Sequence, residues 1–187
     1  MFEKEYWKPG NMLYPIPAVM VSCGSFIKPN IITIAWTGTV CTNPPMVSIS
    51  VRKERYSYDI IKESKEFAIN LVTKDLIRQA DYCGVKSGRD VDKFKEMKLT
   101  PVKGNIISAP VIGESPVNIE CVVKDILPLG SHDLFLAEVV SVDVDKKYMD
   151  EKGKFNLNKS GLVIYSHGEY YAMGELLGKF GYSVKKK

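Results

Sequence analysis

Residues 35–52 read AWTGTVCTNPPMVSISVR and carry no charged side chain before the last residue, Arg52. A strand that only filled a core would consist of Val, Ile and Leu, whereas hydroxyl side chains interrupt this one at Thr37, Thr39, Thr42, Ser48 and Ser50. The TNPP turn divides the stretch into two short strands. The stretch therefore predicts a hairpin whose hydroxyl groups meet something polar.

Apolar runs rich in β-branched residues recur on both sides of this hairpin. They cover residues 18–23, 31–36, 46–51, 67–72, 117–127, 134–144 and 162–165. Two short helical patterns lie between them: residues 58–63 after a Ser57 cap, and residues 75–83 with Gly84 placed to end the helix. Long antiparallel strands close into a barrel more readily than they form a flat sheet. The pattern predicts a mainly β fold, a barrel with a few short helices.

The length and charge of the chain limit the classes of protein to which it can belong. A chain of 187 residues predicts one domain, residues 1–187, that needs no disulfide or metal. The 26 basic and 22 acidic residues nearly balance, which disfavours nucleic acid as a partner. The uncharged residues 9–27 and 29–51 contain prolines, which disfavours membrane helices. The first ten residues lack the order of a secretion signal, so we expect a cytoplasmic protein.

Several chemistries have no motif in this sequence. Four cysteines without a CxxC pair and two isolated histidines predict no metal site and no disulfide. A hydrolase would need a GxSxG elbow, and a doubly wound nucleotide fold a P-loop or a GxGxxG motif. Neither class is favoured.

Two loops are candidates for binding an anion. The sequence SVRKERYS brings a strand end, two arginines and a helix start together, so Arg52, Arg55 and Ser57 suit a phosphate. The loop CGVKSGRDVDKF offers Ser87 and Lys93, with Phe94 available to cover a ring. For each loop the alternative is a solvated turn. A barrel with a hydroxyl-lined hairpin that leads to a basic helix start suits FMN.

The order of these motifs resembles the flavin reductase-like family of FMN-binding split barrels, and within it the flavoredoxin-like branch. The resemblance rests on residues 30–71, NIITIAWTGTVCTNPPMVSISVRKERYSYDIIKESKEFAINL, on GSHDLFLAEV at 130–139, and on YYAMGELLGKFGYSV at the end. It implies a split β-barrel of Greek-key type and a homodimer with FMN near the subunit interface.

The resemblance also implies which residues border the cofactor. The residues expected at the flavin ring are Trp36, Thr37, Gly38, Thr39, Val40 and Cys41. Those expected at the ribityl chain and phosphate are Ser50, Val51, Arg52, Arg55, Tyr56 and Ser57, while Ser87, Lys93 and Phe94 would close the site. His132 would lie on the substrate side, although Ser131 and Asp133 depart from the family's usual neighbours of that histidine.

The implied function is a flavin-dependent oxidoreductase. It would pass electrons from a reduced donor, with NADH and NADPH as candidates, through FMN to a flavin, a metal complex or a protein. The alternative is an FMN electron carrier that shuttles electrons between proteins without enzymatic activity. A third possibility is a non-redox barrel that stores flavin or binds haem. The sequence shows no axial-ligand pattern that would support haem. The sequence names neither the donor nor the acceptor.

Overall fold

The computed structural model describes residues 2–184. The helices are α1 (Tyr56–Ser64), α2 (Ile77–Val85) and α3 (Lys93–Glu96), with single 3-10 turns between several elements. The strands in chain order are β1 (Ile16–Pro17), β2 (Val19–Gly24), β3 (Pro29–Ile34), β4 (Thr37–Thr42), β5 (Pro45–Arg52), β6 (Glu66–Leu71), β7 (Pro101–Val102), β8 (Val111–Ile112), β9 (Val117–Pro128), β10 (His132–Val144), β11 (Val163–Ser166) and β12 (Glu169–Ala172).

One antiparallel sheet of seven strands forms the body of the molecule, in the order β3-β2-β6-β9-β10-β5-β4. Its longest strands, β9 and β10, pair over nearly their whole length, with register shifts between Leu136 and Ala137 and between Val139 and Ser141. Bulges of this kind bend a sheet. The seven apolar runs identified in the sequence all fall on strands, so the mainly β prediction is confirmed.

The main core lies on one face of this sheet. Alternate residues of each strand point into it, for example Val47, Ile49 and Val51 of β5, while α1 adds Tyr58 and Ile61. On the opposite face, α2 and α3 cover β2 and β3 with a second cluster that includes Met20, Ile31 and Phe94. Both faces of β2 are therefore buried, which explains why its sequence is apolar without alternation.

The two edges of the sheet leave an opening beside β5. β3 and β4 are the two outermost strands, and no ladder joins them within residues 2–184. A backbone bond crosses near this opening, from the Ser50 N–H to the Trp36 carbonyl oxygen at 2.9 Å. Within residues 2–184 the barrel is therefore not closed by hydrogen bonds between its edge strands, β3 and β4.

The helix boundaries differ from the sequence predictions in two places. α1 begins at Tyr56 after Arg55, so Ser57 is not the cap; its hydroxyl instead accepts a hydrogen bond from Asn30 Nδ2 at 2.7 Å. A 3-10 turn precedes α2, which runs through Gly84 and ends at Val85. An added Cβ at Gly84 would lie 3.3 Å from Thr33 Cβ, so this glycine permits close packing of helix on strand and does not end the helix.

The described helices are short. None in residues 2–184 combines the length and the apolar character needed to cross a membrane.

Candidate functional site

A cavity of about 290 Å³ lies where the ends of β3 and β5 meet the start of α1 and the loop after α2. We call it the basic cavity. The residues that line it come from four segments of the chain: Asn30, Ile32, Arg52, Glu54, Arg55, Tyr56, Ser57, Cys83, Gly84, Lys86, Ser87, Gly88, Arg89 and Lys93. The two loops that the sequence identified as anion-binding candidates therefore form one site.

The charge of this cavity is strongly positive. Its lining includes the five basic side chains of Arg52, Arg55, Lys86, Arg89 and Lys93, against the single carboxylate of Glu54. Tyr56 and Ser57 add the first backbone N–H groups of α1, which have no acceptor inside the helix. This combination suits a phosphate group.

Lys93 is the buried cation of the basic cavity, only 4% exposed. Its Nζ donates hydrogen bonds to the carbonyl oxygens of Ile31 at 2.7 Å and Cys83 at 2.8 Å. Burial lowers the pKa of Lys93. Because an ammonium group has three donors, one remains for a ligand.

At Gly88, the loop after α2 lies very close to Asn30 of β3 and Tyr56 of α1 in the wall of the basic cavity. A Cβ at this position would lie 2.0 Å from Asn30 Oδ1 and 2.9 Å from Tyr56 Cδ1. Next to it, the Arg89 guanidinium lies 5.3 Å from the centre of the Tyr56 ring and donates to the Glu54 carbonyl oxygen at 3.1 Å. Glycine at 88 therefore lets the loop after α2 lie against β3 and α1.

A second cavity, of about 150 Å³, adjoins the first and is lined by residues of β3, the β3–β4 connection and β5. We call it the aromatic cavity. Its lining includes three residues of the basic cavity, Ile32, Arg52 and Arg55. The other residues are Thr33, Ile34, Ala35, Trp36, Ser50, Val51 and His132.

Trp36 and His132 form the aromatic part of this second cavity. Their ring centres lie 4.5 Å apart at an angle of 43°. His132 is the first residue of β10 and pairs in register with Arg52. Partial burial, and then the Arg52 charge, lower the pKa of His132, so its imidazole is neutral near pH 7. Its Nδ1 lies 2.9 Å from Ser131 Oγ.

A third cavity, of about 500 Å³, lies on the other side of Trp36. One wall is residues 10–16, which we call the N-terminal strap, and we call the space the strap cavity. Its lining is drawn from the strap, β4, β5 and the β3–β4 connection: Gly10, Asn11, Met12, Leu13, Tyr14, Ile16, Ala35, Trp36, Thr37, Gly38, Ser48 and Ser50.

The hydroxyl groups of residues 35–52 have mixed environments. Thr37 Oγ1 donates to the Ser48 carbonyl oxygen at 2.8 Å, which ties β4 to β5. Ser50 lines both the aromatic and the strap cavities. Thr39 and Thr42 are exposed on the edge strand β4. Only part of this hydroxyl set faces a cavity.

Four of the expected site residues line none of these three cavities: Thr39, Val40, Cys41 and Phe94. Val40 is about half exposed and Cys41 half-buried on β4. Phe94 is 4% exposed and belongs to the second core cluster, because packing of α3 onto β3 turns this side chain inward. Its place beside the cofactor stays an expectation.

Asn30 and Lys86 also line the basic cavity, although the sequence analysis does not single them out. A buried asparagine at the start of an apolar strand was the available signal for Asn30. Nothing in the local pattern distinguishes Lys86 from other surface lysines.

Three of the four cysteines, Cys23, Cys83 and Cys121, are buried. Burial raises the pKa of Cys23 to about 12 and that of Cys83 to about 11, so both thiols are protonated at neutral pH although they lie near the basic cavity. No group of three or more potential metal-ligating side chains occurs in the described part of the chain.

Comparison of this chain with known proteins identifies its family. The model of the flavin reductase-like domain matches residues 12–174. The structure of flavoredoxin from Desulfovibrio vulgaris (Miyazaki F) is similar with a TM-score of 0.90 and 35% identity, covering 98% of this chain and 100% of that one. Flavoredoxin from Methanosarcina acetivorans is similar with a TM-score of 0.88 and 27% identity, with coverage of 98% and 100%.

A sequence relative agrees with these structures. An uncharacterised protein of Pyrococcus abyssi is 30% identical over 160 residues, which are 86% of this chain and 91% of the relative. The split-barrel architecture expected from the sequence is confirmed by these similarities. The chain belongs to the flavin reductase-like family of flavin-binding split barrels.

Proposed function

We propose that this protein binds FMN and transfers electrons through it. The observation that carries the proposal is the continuity of two unlike cavities. The basic cavity suits a phosphate, the aromatic cavity suits a flat ring, and Ile32, Arg52 and Arg55 belong to both. A single molecule with an anionic tail and a planar head matches that arrangement.

The residues present fit FMN in this orientation. Arg52, Arg55 and Lys93 would hold the phosphate together with the first N–H groups of α1. Ser50 and the backbone near Trp36 would border the ring and its ribityl chain. When bound, FMN supplies the electron-accepting chemistry, and the protein positions it and limits access of water.

The choice of FMN over FAD rests on the phosphate side of the site. One cluster of basic side chains matches one terminal phosphate. Denaturing the purified yellow protein and separating the released flavin by chromatography tests this. FMN is the expected product, and recovery of FAD alone at full occupancy would contradict the proposal.

The reaction proposed is electron transfer from a reduced donor to a flavin, a metal complex or a protein acceptor. Membership of the flavin reductase-like family supports it, with NADH and NADPH as candidate donors. His132 is proposed to lie on the substrate side of the flavin. Its neutral imidazole, at the edge of the aromatic cavity, can contact an incoming donor without adding charge.

A second candidate function is that of an electron carrier between proteins, with no activity of its own on nicotinamides. The exposure of Trp36, which is 41% accessible at the aromatic cavity, favours it. An exposed aromatic residue beside the ring site leaves that site open to a protein surface. The similarity to two proteins named flavoredoxin is compatible with both candidates.

Anaerobic reduction of the holoprotein separates the two functions. NADH, NADPH and a reduced carrier protein are added in turn, and the loss of flavin absorbance is followed. Rapid bleaching by a nicotinamide supports the enzyme, whereas bleaching only by the carrier supports the shuttle. The absence of bleaching by all three would contradict both.

We also propose a homodimer. Large apolar side chains of the C-terminal segment are exposed, among them Leu177 at 87% and Phe180 at 107%. Apolar surface of this extent on a soluble protein is typical of a surface that another chain covers. A second copy of the chain is the partner that a symmetric assembly supplies.

A further inference from the structure

The N-terminal arm, residues 2–9, carries apolar surface that its own chain leaves uncovered. All eight of its residues are exposed, and they form no helix or strand. Three of them are aromatic: Phe2 and Tyr6 are each 98% exposed, and Trp7 is 77% exposed. An aromatic side chain is stabilised chiefly by leaving water. Three of them on one short segment therefore indicate a surface that another chain covers.

The C-terminal segment, residues 173–184, is uncovered in the same way. Its large apolar side chains are all exposed: Met173, Leu176, Leu177, Phe180, Tyr182 and Val184. Because the arm and this segment are both exposed, neither covers the other within one copy. The two described ends of the chain thus offer two separate apolar surfaces.

Both segments lead away from the same small sheet. β1, β11 and β12 form an antiparallel sheet with β11 in the middle, so β1 and β12 run in the same direction. The arm and the strap precede β1, whereas the C-terminal segment follows β12. The arm therefore leaves the sheet at one end, and the C-terminal segment leaves it at the other.

Contacts mark these two ends of the sheet. Tyr14, in the strap, packs against His167 of the β11–β12 turn, with ring centres 4.7 Å apart. At the other end, the Met173 N–H donates to the Leu162 carbonyl oxygen at 3.3 Å. The length of β11, four residues or about 13 Å, separates the two ends. In every copy the two apolar segments thus begin at opposite ends of the sheet.

A two-fold axis makes this arrangement complementary to itself. When the axis is perpendicular to the strands, the sheet of the second copy runs in the opposite direction. The arm end of each sheet then lies beside the C-terminal end of the other sheet, and the same contact occurs twice. Such a pair covers both apolar surfaces at once.

We propose that the N-terminal arm of each copy docks on the C-terminal segment of a second copy, with Trp7 as the anchor. The proposal rests on the homodimer of the proposed function and identifies the segments that meet in it. Burying one aromatic side chain removes about 150–250 Å² from water. The three aromatic side chains of two arms, with the surface that they cover, reach the roughly 1,200–2,000 Å² of a stable interface.

Photo-cross-linking of the FMN-loaded protein tests which chain the arm contacts. Trp7 is replaced by p-benzoylphenylalanine, and 15N-labelled and unlabelled chains are mixed so that mass spectrometry separates cross-links between chains from those within one chain. We expect a covalent dimer that is cross-linked to residues 173–184 of the other chain. The same label at Glu151, an exposed turn residue, should give no such product. Cross-links within one chain only, to other parts of the second copy only, or to neither would overturn the proposal.

Substitutions measure the same contact without a chemical label. Trp7→Ala should raise the dimer dissociation constant, measured by sedimentation, by about tenfold or more. Phe26→Ala, at an exposed aromatic residue between β2 and β3, is the matched control and should leave it unchanged. If Phe180 receives the arm, Trp7→Ala and Phe180→Ala together should raise the constant by less than the product of their separate effects. A Trp7→Ala dimer as tight as the Phe26→Ala dimer would contradict the proposal.

FMN titration separates this proposal from the proposed function. Residues 2–9 line none of the three cavities, so Trp7→Ala should bind FMN normally at concentrations where it is dimeric. If the unmodified protein binds FMN but its arm does not reach a second copy, the arm proposal fails while the FMN site stands. If the unmodified protein does not bind FMN, the proposed function fails whatever the cross-links show.

Discussion

Arg52 lies at the junction of the basic and aromatic cavities, which makes it the most informative single residue of the site. Its Nη1 is 3.4 Å from Glu54 Oε1, and about half of its side chain is exposed. The salt bridge to Glu54 is therefore weak, and the guanidinium can turn to a phosphate without a large loss.

We expect Arg52→Ala to weaken FMN binding without unfolding the protein. A hydrogen bond to a charged group contributes about 1.5 to 3 kcal/mol. Because Arg52 is partly exposed, we expect its contribution to lie at the lower end of this range, which corresponds to a loss of roughly tenfold in FMN affinity. Fluorescence titration of the apoprotein measures it. Arg78→Ala, an exposed arginine on α2 outside the cavity, is the control. Equal affinities in the two variants would place the phosphate elsewhere.

A second prediction concerns Gly88, where the structure leaves no room for a side chain. Gly88→Ala would bring a methyl group within 2.0 Å of Asn30 Oδ1, so the loop after α2 must move away from β3. We expect weaker FMN binding and a lower melting temperature, because this loop carries Arg89 and leads to Lys93. Glu151→Ala, at an exposed turn residue that lines none of the cavities, should change neither quantity. Unchanged FMN affinity in Gly88→Ala would show that the loop has no part in binding.

At the scale of elements, a buried hydrogen bond holds α1 against β10. Tyr58 Oη donates to Asp133 Oδ2 at 2.6 Å, and Lys53 Nζ lies 3.4 Å from the other carboxylate oxygen. The Tyr58 hydrogen bond lowers the pKa of Asp133, and the same bond raises the pKa of Tyr58 to about 12. This contact positions α1, whose first turn borders the basic cavity.

The pH dependence follows from the signs of these shifts. A carboxyl group with a lowered pKa stabilises the fold above its unfolded pKa, about 3.9, and that contribution is lost as the pH falls further. A phenol with a raised pKa stabilises below about pH 10, and that contribution is lost between about pH 10 and 12.

We expect Tyr58→Phe to lower the midpoint of urea unfolding at pH 7, because Asp133 loses its buried donor. The difference from the unmodified protein should shrink below about pH 4, where the carboxylate becomes protonated. Tyr182→Phe, at a tyrosine that is 65% exposed, is the control. A difference that stays constant from pH 7 to pH 3 would contradict the role given to Asp133.

For the molecule as a whole, the described residues after β12, 173–184, form no strand or α-helix and contain one 3-10 turn, Tyr182–Val184. Its apolar side chains bury little surface within one chain; Leu176 is 74% exposed and Phe180 is fully exposed. In the proposed dimer these side chains would be covered by the partner and would help to enclose the flavin.

Deleting residues 174–187 should therefore weaken the dimer and FMN binding together. Light scattering gives the oligomeric state, and flavin titration gives the affinity, of the intact and truncated proteins. We expect a dimer for the intact protein at micromolar concentration and a shift towards monomer after truncation. An intact monomer that keeps FMN tightly bound would exclude the interface from the site.

Local sequence patterns predict the seven strands β2, β3, β5, β6, β9, β10 and β11, the hairpin at residues 35–52 and the strand-to-helix turn with Arg52 and Arg55. These features are local, since apolar runs and turn residues act over a few neighbouring positions. They also carry the family resemblance, which the domain match confirms. Ser57 and Gly84 were assigned to the wrong local roles, as a cap and a helix end, because their real partners, Asn30 and Thr33, lie on a distant strand.

The way in which separate segments combine depends on long-range packing that no local pattern encodes. Packing of α2 and α3 on β3 brings Lys93 to the Ile31 carbonyl, 62 residues away in the chain, and turns Phe94 into the core. The same packing joins the two basic loops into one cavity, and pairing of β1 with β11 sets the strap beside Trp36. Such contacts depend on the closing of the whole sheet, because each one is stable only when the apolar surfaces behind it are buried together.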